Sequence, residues 1–262
     1  MTHITCSFPS YALGTMAEFH VILPRKYNIN LKEESFHAIP DEGYRTLILL
    51  HGACDSASDW LLHSRVADYA DELNIALIIP STGNSFYLDD VNSVNSFTFI
   101  TEELLNYARD IFPLSMKRED TFIFGYSMGG YGAVRAGILR PDLFGKVGSM
   151  SGALDIKLAA RYIRTCGCLL PKELSDIKSL DGTDRDLFHC LEEADTCGNT
   201  YPAFYLTCGN QDVFAKSATQ FHDALIQKGF RSTCSITEGT HEWNYWCHAL
   251  TKVIAWMYQP EK

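Results

Sequence analysis

The sequence predicts an α/β fold with a mostly parallel central sheet flanked by helices, and three observations predict it. Apolar β-rich runs alternate along the chain with stretches whose apolar residues recur at three and four spacing. Residues 121–135 pass from a strand pattern through Gly125-Tyr126-Ser127-Met128-Gly129 into helix-compatible sequence. A chain of 262 residues with 46% hydrophobic content is long enough to bury one large core without disulfide staples. A single domain over 1–262 is therefore expected.

Strands are predicted at 18–23, 45–50, 75–79, 121–124, 146–150, 203–207 and 232–237. Between them, 60–73, 97–111, 130–139, 216–228 and 242–256 carry the helical period. Residues 152–200 break the alternation with short helical periods and charged turns such as Asp181-Gly182-Thr183-Asp184-Arg185-Asp186. This segment is expected to be a small helical cap inserted above the carboxyl ends of the strands, where such sheets bind ligands; a connection on a side face is the alternative. The charges at 181, 184 and 186 are expected to be solvated.

Net charge and cysteine usage narrow the function. A formal charge of −10 and a pI near 5.3 argue against nucleic acid as a partner, because phosphate binding rests on Lys and Arg. The start of the sequence shows neither a basic region followed by an apolar one nor a membrane-spanning run, so a cytoplasmic protein without membrane attachment is expected. Nine cysteines without repeated CxxC spacing fit reduced thiols. Cys166 and Cys168, with His189, Cys190 and Cys197, match no common zinc spacing, and no metal is expected.

The Gly125–Gly129 stretch is the pattern of a strand, tight turn and helix that holds a serine in a strained conformation, with Gly on both sides because a side chain would strike the crossing elements. Ser127 is the candidate nucleophile. A serine hydroxyl needs a base in hydrogen-bond reach, and the base needs an orienting acid. Of the late histidines, His222 and His248 fall within predicted helices, whereas His241 follows a strand and the turn Glu238-Gly239-Thr240. For the acid, Asp212 follows strand and turn in Tyr205-Leu206-Thr207-Cys208-Gly209-Asn210-Gln211, with Asp155 as its rival. The oxyanion donors are expected to be the amides of Met128 and of Ala53, where Gly52 permits the bend after the 45–50 strand. His51 is expected to buttress that loop, and Cys54 to be an adjacent thiol without a catalytic role.

Together His51-Gly52 with Trp60-Leu61, Gly125-Tyr126-Ser127-Met128-Gly129-Gly130-Tyr131-Gly132, Ser151-Gly152-Ala153-Leu154, Cys208-Gly209-Asn210-Gln211-Asp212 and Gly239-Thr240-His241-Glu242-Trp243 resemble the esterase branch of the α/β-hydrolases. The likeness runs over nearly the whole chain and is greatest to bacterial tributyrin esterases, short-chain acyl esterases. It implies an α/β-hydrolase fold, nucleophile Ser127, acid Asp212, base His241, oxyanion amides of Ala53 and Met128, and no cofactor. Two segments depart from the pattern: the cysteine-rich 152–200 region, and Ser85-Phe86-Tyr87-Leu88-Asp89-Asp90, which only loosely matches the family's aromatic and acidic stretch after the third strand.

The expected activity is hydrolysis of short-chain acyl esters, acetyl, butyryl or acetylated carbohydrate, through an acyl-enzyme, with a small-molecule ester as partner. Trp60, Tyr126 and Trp243 are expected to touch substrate, and Trp246 is a further candidate wall. A thioesterase of the S-formylglutathione hydrolase type and an acyltransferase remain alternatives, a non-catalytic binding module is a more distant one, and homo-oligomerisation stays open.

Overall fold

Successive strand residues point to opposite faces, and the core divides accordingly. Ile48, Leu50, Ile123, Phe204 and Leu206 face one apolar cluster, while Leu47, Leu49, Phe122, Phe124 and Tyr205 face the other. The computed structural model describes residues 1–24, 39–89, 94–165, 167, 174 and 176–258. Within them β1 (Thr2–Ser10), β2 (Thr15–Leu23), β3 (Arg45–Leu50), β4 (Ile75–Pro80), β5 (Thr121–Tyr126), β6 (Lys146–Met150), β7 (Ala203–Gly209) and β8 (Ser232–Thr237) form one eight-stranded sheet. Its order is β1-β2-β4-β3-β5-β6-β7-β8. β1 and β2 pair antiparallel, β2 meets β4 antiparallel, and every later neighbour pair is parallel.

Helices cover both faces. α1 (Ala57–His63), α2 (Val66–Leu73) and α9 (Trp243–Met257) bury Trp60, Ala70, Trp246 and Leu250 on one side. On the other lie α3 (Ser96–Thr98), running through a π-helical stretch Phe99–Glu103 into α4 (Leu104–Ile111), then α5 (Met128–Leu139), α6 (Ile156–Thr165), α7 (Leu187–Glu193) and α8 (Ala215–Gln227). The predicted strands are all present, several extended by a few residues.

Three features differ from the sequence reading. β1 was not predicted, although Ile4, Cys6 and Phe8 alternate with His3, Thr5 and Ser7; its outer residues are exposed and its inner ones are only partly apolar, so the pattern is faint. The helix predicted over 60–73 is two helices, because Ser64 turns extended (φ −130°, ψ 167°) and its hydroxyl caps the Trp60 carbonyl at 2.5 Å. The 152–200 segment also divides. α6 lies beside the site described below, but Leu187, Cys190 and Leu191 of α7 enter the same core as α5 and α8, with Phe188 edge-on to Phe221 at 5.1 Å. That half is a face helix of the sheet rather than a cover.

The charged turn at 181–186 is solvated as expected at Asp181 and Asp184, whose side chains are exposed, but not at Asp186, which is largely buried. Asp184 pairs with Arg135, a buried side chain of α5 that also donates to the Asp184 carbonyl and lies over the Phe97 ring at 4.3 Å. Asp186 caps α7 through the Phe188 amide, and Lys157 reaches both Asp181 and Asp186. Among the described residues no helix is long and apolar enough to cross a membrane.

Candidate active site

Parallel strands deliver their following loops to one edge of the sheet, and four of those loops converge here. β5 ends at Tyr126, and Ser127 turns the chain into α5 with φ 53° and ψ −118°, a conformation L-residues rarely adopt. The turn is anchored on three sides: the Ser127 amide donates to Met150 O at 2.9 Å, while Ser127 O accepts from the Ala153 and Tyr131 amides. A Cβ at Gly125 would lie 2.3 Å from the Gly129 backbone, and one at Gly129 would lie 2.3 Å from Leu50 O. Only glycine at both positions lets strand, turn and helix cross so closely.

The loops after β7 and β8 are stitched together. The Asn210 amide donates to Thr237 O at 2.7 Å and the Gln211 amide to Gly239 O at 3.0 Å. This fixes Asp212 against His241, whose Nδ1 lies 2.8 Å from Asp212 Oδ2. On its other side His241 Nε2 lies 3.0 Å from Ser127 Oγ. An ionised carboxylate only accepts, so Nδ1 carries the proton it donates to Asp212 and Nε2 is left to accept the serine hydroxyl. The His241 ring is boxed edge-on by Trp246 (5.1 Å), Phe214 (5.4 Å) and Tyr162 of α6 (6.1 Å).

The Asp212 side chain has no solvent exposure. Burial alone would push its carboxyl up. The hydrogen bond and positive potential of His241, with the Phe214 amide at 2.9 Å and the Ser151 hydroxyl, outweigh that and hold it below the ordinary carboxylate value. A serine, an imidazole and a charged carboxylate in this chain can sharpen a hydroxyl into a nucleophile.

The rival residues lie elsewhere. Asp155 caps α6, its Oδ1 accepting from the Lys157 and Leu158 amides at 3.0 Å each. His222 Nδ1 meets Ser232 Oγ at 2.8 Å. His51 is fully buried between two loops: Nδ1 donates to Gly52 O at 2.8 Å and Nε2 accepts the Thr82 amide at 3.2 Å. Both partners are backbone groups, so the neutral tautomer is set, and burial pushes the imidazole below its usual value. Cys166, Cys168 and Asp90 lie outside the described residues; Cys190 is buried against Asp184 O and Cys197 is exposed.

Two of the expected substrate contacts are corrected. Trp60 and Tyr126 are both 0% exposed, because α1 and α9 close over that face and pack the two rings 5.1 Å apart. Trp243 is half-buried, edge-on to Tyr126 at 4.7 Å. The Ser85–Asp89 stretch is structural as well: Phe86 and Tyr87 are buried, and the Asp89 carboxylate caps the start of α3 through the Phe97 and Thr98 amides. Tyr162 and Phe214 beside His241 escaped the sequence reading. The signal for Phe214 was its place two residues after Asp212; Tyr162 had none, since it arrives from another element.

Residues 10–257 match the model of a protein family described as "Putative esterase". The chain is 32% identical over 226 residues to an acetyl esterase of Caldicellulosiruptor saccharolyticus, covering 84% of this chain and 85% of that one. Among solved structures it is similar to a substrate-bound fluorophosphonate-binding serine hydrolase of Staphylococcus aureus, with TM-score 0.85, 27% identity and 99% of each chain covered. It is similar also to the S-formylglutathione hydrolase of the same organism, with TM-score 0.82, 26% identity and coverage of 98% of this chain and 99% of that one. The chain thus belongs to this esterase family, has the α/β-hydrolase fold and is a carboxylic ester hydrolase.

Proposed function

We propose that the chain hydrolyses short-chain acyl esters by two-step acyl transfer on Ser127. The observation that carries this is the continuous hydrogen-bonded path from Ser127 Oγ through His241 to Asp212 Oδ2, at 3.0 and 2.8 Å. Ser127 Oγ attacks the ester carbonyl while His241 Nε2 takes its proton. The tetrahedral intermediate collapses, His241 protonates the departing alcohol, and the acyl group stays on Ser127. Water then repeats the cycle, giving its proton to His241 and releasing the acid. Asp212 remains ionised throughout, orienting the ring and stabilising the imidazolium.

The oxyanion would be received by the Met128 and Ala53 amides. Met128 opens α5, so its amide is among those a helix leaves without an internal partner. Trp243 is the candidate wall for a small acyl group. The likeness to an acetyl esterase supports a short acyl chain. The likeness to an S-formylglutathione hydrolase favours a second reading, a thioesterase, which would show a large preference for a thioester over the matching oxygen ester.

Ser127→Ala is expected to abolish turnover of p-nitrophenyl acetate and uptake of a fluorophosphonate while leaving thermal unfolding nearly unchanged, since the side chain's role is chemical. Retained turnover would overturn the assignment. Rates on acetyl, butyryl and S-formylglutathione substrates then separate the two readings.

A further inference from the structure

The turn that carries the Ala53 amide is held from beneath by a group with no part in the acyl-transfer steps. Gly52, Ala53, Cys54 and Asp55 form a four-residue turn closed by the Asp55 amide on Gly52 O at 3.4 Å, with Cys54 at φ 67°. A positive φ at the third position is the pattern of a type II turn, and for a residue other than glycine it is a strained conformation. Such a turn keeps its shape only where its surroundings impose it. The second residue's N–H takes no part in the closing bond, which leaves the Ala53 amide available.

The Tyr126 side chain lies under both ends of this turn. Its hydroxyl donates to Asp55 Oδ2 at 2.6 Å. The ring runs so close beneath Gly52 that a Cβ there would come 2.5 Å from Cε2. Burial first, and then Asp55, push the phenol well above its usual value, so it stays a donor at neutral pH. Trp60, Trp243 and Trp246 surround the ring, with centroids 5.1, 4.7 and 4.4 Å away, and fix its place. On its outer side the turn is tied by the Cys54 amide donating to Asn84 Oδ1 at 2.5 Å. Tyr126 is also the residue before Ser127, so its backbone belongs to the nucleophile's turn while its side chain belongs to the oxyanion turn.

We propose that Tyr126 and Asp55 are a positioning pair that locks the Ala53 amide in register with Ser127 Oγ, so that the oxyanion donors are aligned before substrate arrives. The proposal rests on the assignment of Ser127 as nucleophile and Ala53 as donor. Donors aimed at the developing oxyanion contribute through preorganisation, and a displacement of about 1 Å can cost on the order of a hundredfold in rate.

Tyr126→Phe removes one oxygen and keeps the ring in its aromatic setting. On p-nitrophenyl acetate it should lower kcat by about 10- to 100-fold with KM within about twofold. A trifluoromethyl ketone, whose adduct on Ser127 places an oxyanion in the same site, should bind more weakly by the same factor. Asp55→Ala should match that loss, Asp55→Asn, which keeps an acceptor oxygen, should recover most of it, and the Tyr126→Phe/Asp55→Ala double variant should lose no more than either single. Unchanged kcat in Tyr126→Phe, a loss carried by KM, or a fall in kcat without weaker ketone binding would overturn the pair's role. Ser127→Ala assayed alongside keeps the two levels apart, because turnover surviving there would remove the underlying assignment instead.

Discussion

Asp212 is a charged carboxylate with a fully buried side chain, an arrangement that survives only because its oxygens are satisfied. Phe214 N–H fills Oδ1 and His241 Nδ1–H fills Oδ2. Replacing it with asparagine keeps the shape but puts an N–H₂ within reach of the imidazole, which then tends to present its other tautomer and loses its lone pair toward Ser127. Asp212→Asn should therefore lower kcat by about a thousandfold or more, measured in steady state on p-nitrophenyl acetate. Asp155→Asn should lose little, since that carboxylate caps α6; a larger loss there would reverse the assignment. At this scale the sequence is informative about placement: Ser127 directly follows β5, and Asp212 and His241 each follow a strand and a turn, as the strand and turn patterns predict. The place of Tyr126 is not legible in the same way, because an aromatic beside Ser127 reads equally as pocket wall or as core, and only the helices packed over it decide which.

The strand, turn and helix around Ser127 store strain by design of the fold. With φ at 53° and ψ at −118°, the serine occupies a region where glycine is at home, held there by the close crossing of Gly125, Gly129 and Leu50. Removing the Cβ should release part of that strain. Ser127→Gly is expected to be more stable than Ser127→Ala by about 1 kcal/mol, read from denaturant midpoints, although glycine ordinarily destabilises through the unfolded chain. Equal or lower stability of the glycine variant would show that the turn is not strained at that residue. The glycine spacing made this element legible before any coordinates. The break in 60–73 was not legible, because Ser64 continues an acceptable helical pattern and ends the helix through a hydrogen bond of its own side chain.

For the whole molecule, two buried histidines tie stability to pH. Burial holds His51 below the ordinary imidazole value, and burial with the nearby His3 does the same for His20, whose ring nitrogens meet His3, Thr5 and Ser58 at 3.2 Å. Between those lowered values and about 6.5 the unfolded chain binds more protons than the folded one, so stability rises with pH in that window. The contribution is complete above about pH 6.5 and is lost as pH falls through the folded-state values. Melting temperature should fall on acidification from pH 7 to pH 5, and His51→Gln and His20→Gln should each flatten the fall. A slope unchanged in both variants would assign the acid sensitivity to other groups.

The order of the strands from β2 to β8, the glycine-flanked turn at Ser127 and the places of Asp212 and His241 after their strands were determined by the sequence itself. Each depends on local period, turn chemistry or close backbone approach, which are written in neighbouring residues. The tertiary structure alone decided that α7 is a face helix, that Trp60 and Tyr126 are core, and that Tyr162 and Phe214 brace His241. It likewise decided that Asp55 and Tyr126, 71 positions apart, share a hydrogen bond beneath the Ala53 turn. Such roles belong to pairs brought together by packing across elements, and a one-dimensional pattern records what each residue is but not what it meets.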